Sequence, residues 1–188
     1  MNITQLSANG FFATEILPDK LLNELSRMAK SFETVDDIRG NATFSHMREV
    51  SFLFKNTEIN NQIISILEPH IKPITPNYSL MYGLELWRDY PGYTNPAHMD
   101  DPQAQNIMII YLDDQSLANG TEYTENGKTY RVSYEKNSAL ILLNSDKTLH
   151  GMSGTVPENT LRHSLYISWI TRDRAKDLGI GQRILGYE

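Results

Sequence analysis

From residue 78 onward the chain is a succession of short apolar segments set apart by turn residues. They are YSLMYGLELWRDY (78–90), NIMIIYLDD (106–114), KTYRVSYE (128–135), SALILLN (138–144) and RHSLYISWIT (162–171). All are rich in β-branched and aromatic residues, the composition of strands. Asn126-Gly127 in TENGKT marks a tight hairpin, because both residues tolerate positive φ. Strands at this spacing predict an antiparallel sandwich or barrel. The first third reads differently. In LPDKLLNELSRMAKSF, Pro18 stands near a helix start, and Leu21, Leu22, Leu25, Met28, Ala29 and Phe32 recur at helical spacing. In NTEINNQIISILEPHI, Asn56 or Thr57 can cap, Ile59, Ile63, Ile64 and Leu67 share a face, and Pro69 is expected to stop the helix. The expectation is one domain with an all-β core and flanking helices. Residues 1–77 form a helical N-terminal support, 78–172 the β core and 173–188 a C-terminal tail.

Composition removes several classes of function. The 188 residues carry a formal net charge of −6, which leaves no electrostatic footprint for nucleic acid or an anionic membrane. There is no cysteine, so disulfides, thiolate metal sites and cysteine nucleophiles are excluded. No apolar run approaches the ~18 residues of a membrane span. MNITQLSANGFFATEIL lacks the basic start and apolar run of a signal peptide, so a cytoplasmic protein is expected. The oligomeric state is not legible.

Chemistry concentrates in a few side chains. In NPAHMDDP, His98 and Asp100 are two apart and share a side on an extended backbone. His150, in DKTLHGMSG, is expected at the end of the strand SALILLN, with Gly151 where the chain turns. Two histidines and one carboxylate on one face of an ion form the facial triad of non-haem Fe(II) oxygenases, with open positions for substrate and O2. Arg162 opens the last strand, and Ser164 shares its face by period two. Charge explains why an arginine belongs there. A ferrous ion, one aspartate and a chelating 2-oxo dicarboxylate sum to one negative charge, and the far carboxylate needs a buried partner. A guanidinium supplies a permanent bidentate clamp, and a serine adds a donor. Taken singly, each residue has a plain structural explanation: a surface pair, a turn histidine, a strand-end arginine. Together they meet one requirement.

On these residues the chain resembles the Fe(II)/2-oxoglutarate-dependent oxygenases, most closely their prolyl-hydroxylase-like branch, over about Leu84 to Ile170. DYPGYTNPAHMDDP resembles the tyrosine-bearing loop that runs into H-x-D. IMIIYLDD resembles the strand that follows. NGTEY resembles a glycine-glycine-glutamate turn with Thr121 in place of the second glycine. LHGMSG resembles the distal histidine segment, and RHSLYISW the arginine strand. The resemblance implies a double-stranded β-helix, a jelly-roll or cupin-like barrel covered by the N-terminal helices. It implies Fe(II) on His98, Asp100 and His150, and 2-oxoglutarate on Arg162 with Ser164, Tyr111 and Tyr90 assisting. O2 is the oxidant, and ascorbate is compatible as an accessory reductant. The implied reaction turns 2-oxoglutarate into succinate and CO2 while a C–H bond is hydroxylated. Related halogenases replace the carboxylate ligand with a small residue, so Asp100 favours hydroxylation.

The leading substrate is a prolyl or other side chain in a protein or peptide, with a free amino acid or small metabolite as the alternative. A nucleobase fits less well, because Ser168 stands where DNA-repair relatives carry a second arginine. Two rival readings are a non-catalytic barrel that binds a metal or ligand, and a cupin-type isomerase or dioxygenase without co-substrate. His163 should point away from the metal, and His46 and His70 are assigned to scaffold or surface. Trp87 is assigned to core packing, Tyr93 to the substrate side, and Asp113 and Asp114 to turn chemistry. No chemistry is legible in residues 1–77.

Overall fold

The computed structural model describes residues 1–31, 47–53, 57–75, 78–100, 106–114, 120–145 and 147–171. The sequence-based expectations for Phe32, His46, Asn56, Asp101 and the 173–188 tail lie outside the described residues. The described residues form ten strands and two helices: β1 (Asn2–Gln5), β2 (Gly10–Thr14), α1 (Asp19–Ser31), β3 (Arg48–Phe52), α2 (Thr57–Ile71), β4 (Tyr78–Asp89), β5 (Asn106–Tyr111), β6 (Thr121–Glu125), β7 (Lys128–Val132), β8 (Ser138–Leu142), β9 (Thr148–Met152) and β10 (Arg162–Thr171). They build a seven-stranded antiparallel sheet, ordered β1-β2-β8-β5-β10-β4-β3, and a three-stranded sheet, ordered β7-β6-β9.

Both faces of the larger sheet are covered. One face shares a hydrophobic cluster with the helices, where Leu22, Leu25 and Ile63 pack with Leu86, Ile110, Leu165 and Ile167. The other packs on the smaller sheet, where Ile107, Ile109, Tyr111, Leu140 and Leu142 meet Tyr123 and Val132. Coverage on both sides explains why β5 and β8 read as unbroken apolar runs rather than alternating ones. Each fully buried leucine or isoleucine contributes about 1.5–3 kcal/mol relative to exposure. Asn137, at a φ of 59°, clips the entry of α1 to the start of β8. Its Oδ1 accepts from the Ile16 and Leu17 amides at 3.1 and 2.9 Å, and its Nδ2 donates to the Leu17 carbonyl at 2.9 Å.

The β6–β7 hairpin turns at Asn126-Gly127, with φ of 50° and 79°, as the turn chemistry requires. Three expectations are corrected. The first 77 residues are not purely helical support, since β1 and β2 extend the larger sheet at one edge and β3 closes the other. Pro69 does not stop α2, which runs to Ile71. A proline removes only its own donor, and the last turn is held by the Lys72 amide on Glu68 O at 3.0 Å and by burial of Ile71. His150 is not at the end of β8. It lies within β9, in the other sheet, and Gly151 is a strand residue rather than a turn.

Candidate active site

His98 reaches the site from the loop after β4, and His150 from β9. Their backbones are tied by a reciprocal bridge, His98 N to His150 O at 2.9 Å and His150 N to His98 O at 2.8 Å. Gly151 makes this approach possible. A β-carbon there would lie 2.6 Å from the Asn95 carbonyl oxygen and 2.9 Å from the Ala97 nitrogen. Asp100 then falls between the imidazoles, with Oδ1 3.5 Å from His98 Nε2 and Oδ2 3.5 Å from His150 Nε2. All three ligand atoms lie within 4.8 Å of one another. Three cis donors about 2.1 Å from one ion stand about 3 Å apart, so the trio closes on a divalent ion with sub-ångström adjustment.

Protonation favours ligation. His98 Nδ1 lies 2.9 Å from the Pro96 carbonyl, which takes an N–H from that nitrogen and leaves Nε2 as the free lone pair. Burial drives His150 down to about 4, so it is neutral at ordinary pH. Contact with Asp100 outweighs burial and raises His98 above its usual value. Burial alone would raise the Asp100 carboxyl, but His98 and the charge of His150 outweigh it and hold it below the usual value. A metal must displace the His98 proton, whose pKa is raised, so affinity should rise with pH and level off above that pKa. Calorimetric titration with Mn(II) should show about a tenfold loss per unit below it, with His150 adding a second proton only near its own lower pKa. An affinity flat from about pH 5 to 8 would remove His98 from the site.

Alternation along β10 sets the second half of the site. Leu165 and Ile167 pack toward the helices, while Arg162, Ser164 and Tyr166 face the smaller sheet. Arg162 and Ser164 are 2% and 1% exposed. Arg162 Nε and Ser164 Oγ have no hydrogen-bond partner among the described residues, and neither has Tyr93 Oη. Burial pushes the Tyr93 phenol up to about 12, so it stays a donor. The same phenol senses the charges of Arg48, Asp89 and Arg162. Burial raises the Tyr166 phenol, on the Arg162 face, and the charge of Asp100 raises it further. Orphaned donors around a buried guanidinium are what an anionic ligand with several acceptors would satisfy.

The remaining expected residues divide. Tyr111 lies opposite Ser164 and 5.6 Å by ring centroid from the Arg162 guanidinium, while its hydroxyl donates to Thr121 Oγ1 at 2.7 Å and ties the two sheets. Tyr90 is not beside them. Its hydroxyl donates to Glu49 Oε2 at 2.9 Å on the helix side of β4, where Arg88 also bonds the Lys30 carbonyl of α1. Tyr93 takes the inward place. His163 points away, as expected, with Nδ1 2.7 Å from Asp113. Asp113 does more than turn the chain, because it also accepts from Tyr134 at 2.5 Å. Trp87 stacks on Tyr166 at 4.3 Å on the inner face. His70 is exposed in the last turn of α2. Sequence reading missed Arg48 and Asp89, a buried ion pair on that inner face beside Arg162. Period-two counting forward from Trp87 would have placed Asp89 inward.

The sequence matches no protein-family model and no curated protein sequence. Its fold matches solved structures. A prolyl-4-hydroxylase from Pseudomonas putida aligns at 13% identity and TM-score 0.63, over 87% of this chain and 93% of that one. A prolyl hydroxylase from Trichoplax adhaerens, in complex with a hypoxia inducible factor oxygen degradation domain peptide fragment, aligns at 11% and 0.68, over 92% and 87%. HygX from Streptomyces hygroscopicus, with nickel, 2-oxoglutarate and hygromycin B bound, aligns at 8% and 0.65, over 87% and 83%. The chain shares the fold of these two prolyl hydroxylases and of HygX. The shared fold agrees with a prolyl-hydroxylase-like chain. No helix among the described residues is long and apolar enough to cross a membrane.

Proposed function

We propose that the protein is an Fe(II)- and 2-oxoglutarate-dependent dioxygenase that hydroxylates a C–H bond, and that residues 1–188 form a single oxygenase domain on a double-stranded β-helix. The observation that carries this reading is the His-Asp-His trio, with His150 paired to the inward Tyr123 of the smaller sheet, together with the buried Arg162 and orphaned donors on the face of the larger sheet that packs against it. When bound, Fe(II) and 2-oxoglutarate would activate O2, the oxidant, with one oxygen atom entering succinate as 2-oxoglutarate loses CO2 and the other going to the substrate C–H bond. His98, Asp100 and His150 would hold the ion through Nε2, a carboxylate oxygen and Nε2, and leave its other face open. Arg162 would clamp the distal carboxylate of the co-substrate, with Ser164 Oγ and Tyr93 Oη donating to it. Tyr111 would brace Arg162 by its ring rather than by its hydroxyl. The rings of Tyr111 and Tyr134, 5.6 and 5.4 Å from the Arg162 guanidinium, would help to keep that end dry, which strengthens the clamp.

A peptidyl side chain is the leading substrate class, supported by the peptide held in one structural neighbour. A small metabolite is the second class, supported by the hygromycin B held in another. The deciding experiment offers Fe(II)-loaded protein 2-oxoglutarate and O2 with panels of proline-bearing peptides and free amino acids. Succinate release coupled to gain of one oxygen atom by a substrate is expected. Absence of succinate under every condition, together with no metal-dependent binding of 2-oxoglutarate, would refute the reading.

A further inference from the structure

Arg48, Asp89 and Arg162 stand on one rung of three adjacent strands, with Asp89 in direct register with each arginine. Opposed side chains on one face of a sheet touch, so the rung reads positive, negative, positive. All three are buried, at 8%, 0% and 2% exposed. Asp89 is shared unequally. Arg48 takes both its oxygens, Nε to Oδ1 at 2.5 Å and Nη2 to Oδ2 at 2.9 Å. Arg162 makes one long contact, Nη1 to Oδ2 at 3.4 Å, and its Nε has no partner among the described residues. Arg48 is also held by rings, 3.9 Å from the centroid of Trp87 and 4.3 Å from that of Tyr93.

We propose that Arg48 is a positioning residue that occupies Asp89 and so keeps Arg162 available for the distal carboxylate of the co-substrate. The proposal rests on the 2-oxoglutarate reading above. Without Arg48, Asp89 would turn both oxygens to Arg162, and that neutral buried pair would have no charge left for an entering anion. With Arg48 in place, two guanidiniums against one carboxylate leave one positive charge, which a single carboxylate neutralises. The same balance sets specificity. A 2-oxo acid with no far carboxylate leaves the extra charge buried and unpaired.

The test is calorimetric titration of the Mn(II)-loaded full chain with 2-oxoglutarate and with pyruvate, which chelates a metal alike but lacks the far carboxylate. Arg48→Met should weaken 2-oxoglutarate by at least about tenfold and leave pyruvate within about twofold. The double variant Arg48→Met/Asp89→Asn removes the competing carboxylate and should return 2-oxoglutarate to within about threefold of wild type. Arg48→Lys keeps the charge but cannot hold both oxygens, and its expected loss of about three- to tenfold serves if Arg48→Met does not fold. Unchanged 2-oxoglutarate affinity in both single variants, equal weakening of both acids, or a double variant no better than the single would each overturn the proposal. Wild-type protein that binds neither acid overturns the oxygenase reading itself, and this inference with it.

Discussion

His150→Ala is expected to abolish succinate production and to weaken Mn(II) binding by more than about 100-fold, beyond the loss typical for an outer-shell partner of a ligand. His150 supplies one of the three ligand atoms that lie within 4.8 Å of one another. Among the described residues no other histidine or carboxylate joins that group, and His163 is committed to Asp113 on the other face of β10. The fold should survive, because the bridge to His98 is made by the backbone of residue 150 and not by its ring. Calorimetric metal titration and a thermal melt on the same sample check both halves. Retention of wild-type metal affinity by a folded variant would remove His150 from the centre.

Gly151→Ala is the second large effect. The new methyl group would meet backbone atoms of Asn95, Pro96 and Ala97, at 2.6 to 2.9 Å, and backbone cannot rotate aside. The loop that delivers His98 and Asp100 must therefore move outward by several tenths of an ångström. A cost of about 1–3 kcal/mol is expected from overpacking, seen as a melting temperature lower by about 2–4 °C for each kcal/mol. Metal affinity should fall by about 10- to 100-fold because two of three ligands ride on that loop. Gly127→Ala is the control. A β-carbon there has nothing within 4 Å, but φ is +79°, so the change should cost about 1–2 kcal/mol with no effect on the metal. Equal metal affinity in the two variants would show that the close approach at Gly151 does not position the ligands.

The chemistry of this site was legible in the sequence to the extent that residue type and period two carry it. His98 and Asp100 are two apart and their donor atoms gather in one group, and Arg162 and Ser164 are two apart on β10, where Leu165 and Ile167 take the other face. The tyrosines were harder. Tyr90 sits at the end of β4, where alternation sends it with Arg88 toward the helices. The chain then turns, with Gly92 at a φ of 85° and the Tyr93 amide on the Tyr90 carbonyl at 3.0 Å, and this returns Tyr93 to the interior. Arg48 left no local signal. Its role arises from cross-strand register with Asp89, a residue far away in the chain, and register is not written in β3 alone. The edge strands β1 and β3 were likewise invisible, because pairing at an edge of a large sheet asks little of local composition.

The reciprocal main-chain bonds between residues 98 and 150 carry a consequence for the life of the molecule. The scaffold sets the two imidazoles side by side without help from an ion, unlike small zinc modules whose folding free energy is the metal's own. Chelators should strip activity and spare the fold, and fresh ferrous ion should revive a depleted sample in one mixing step. Which divalent ion would occupy the proposed site then follows from supply and exchange rather than from the history of folding.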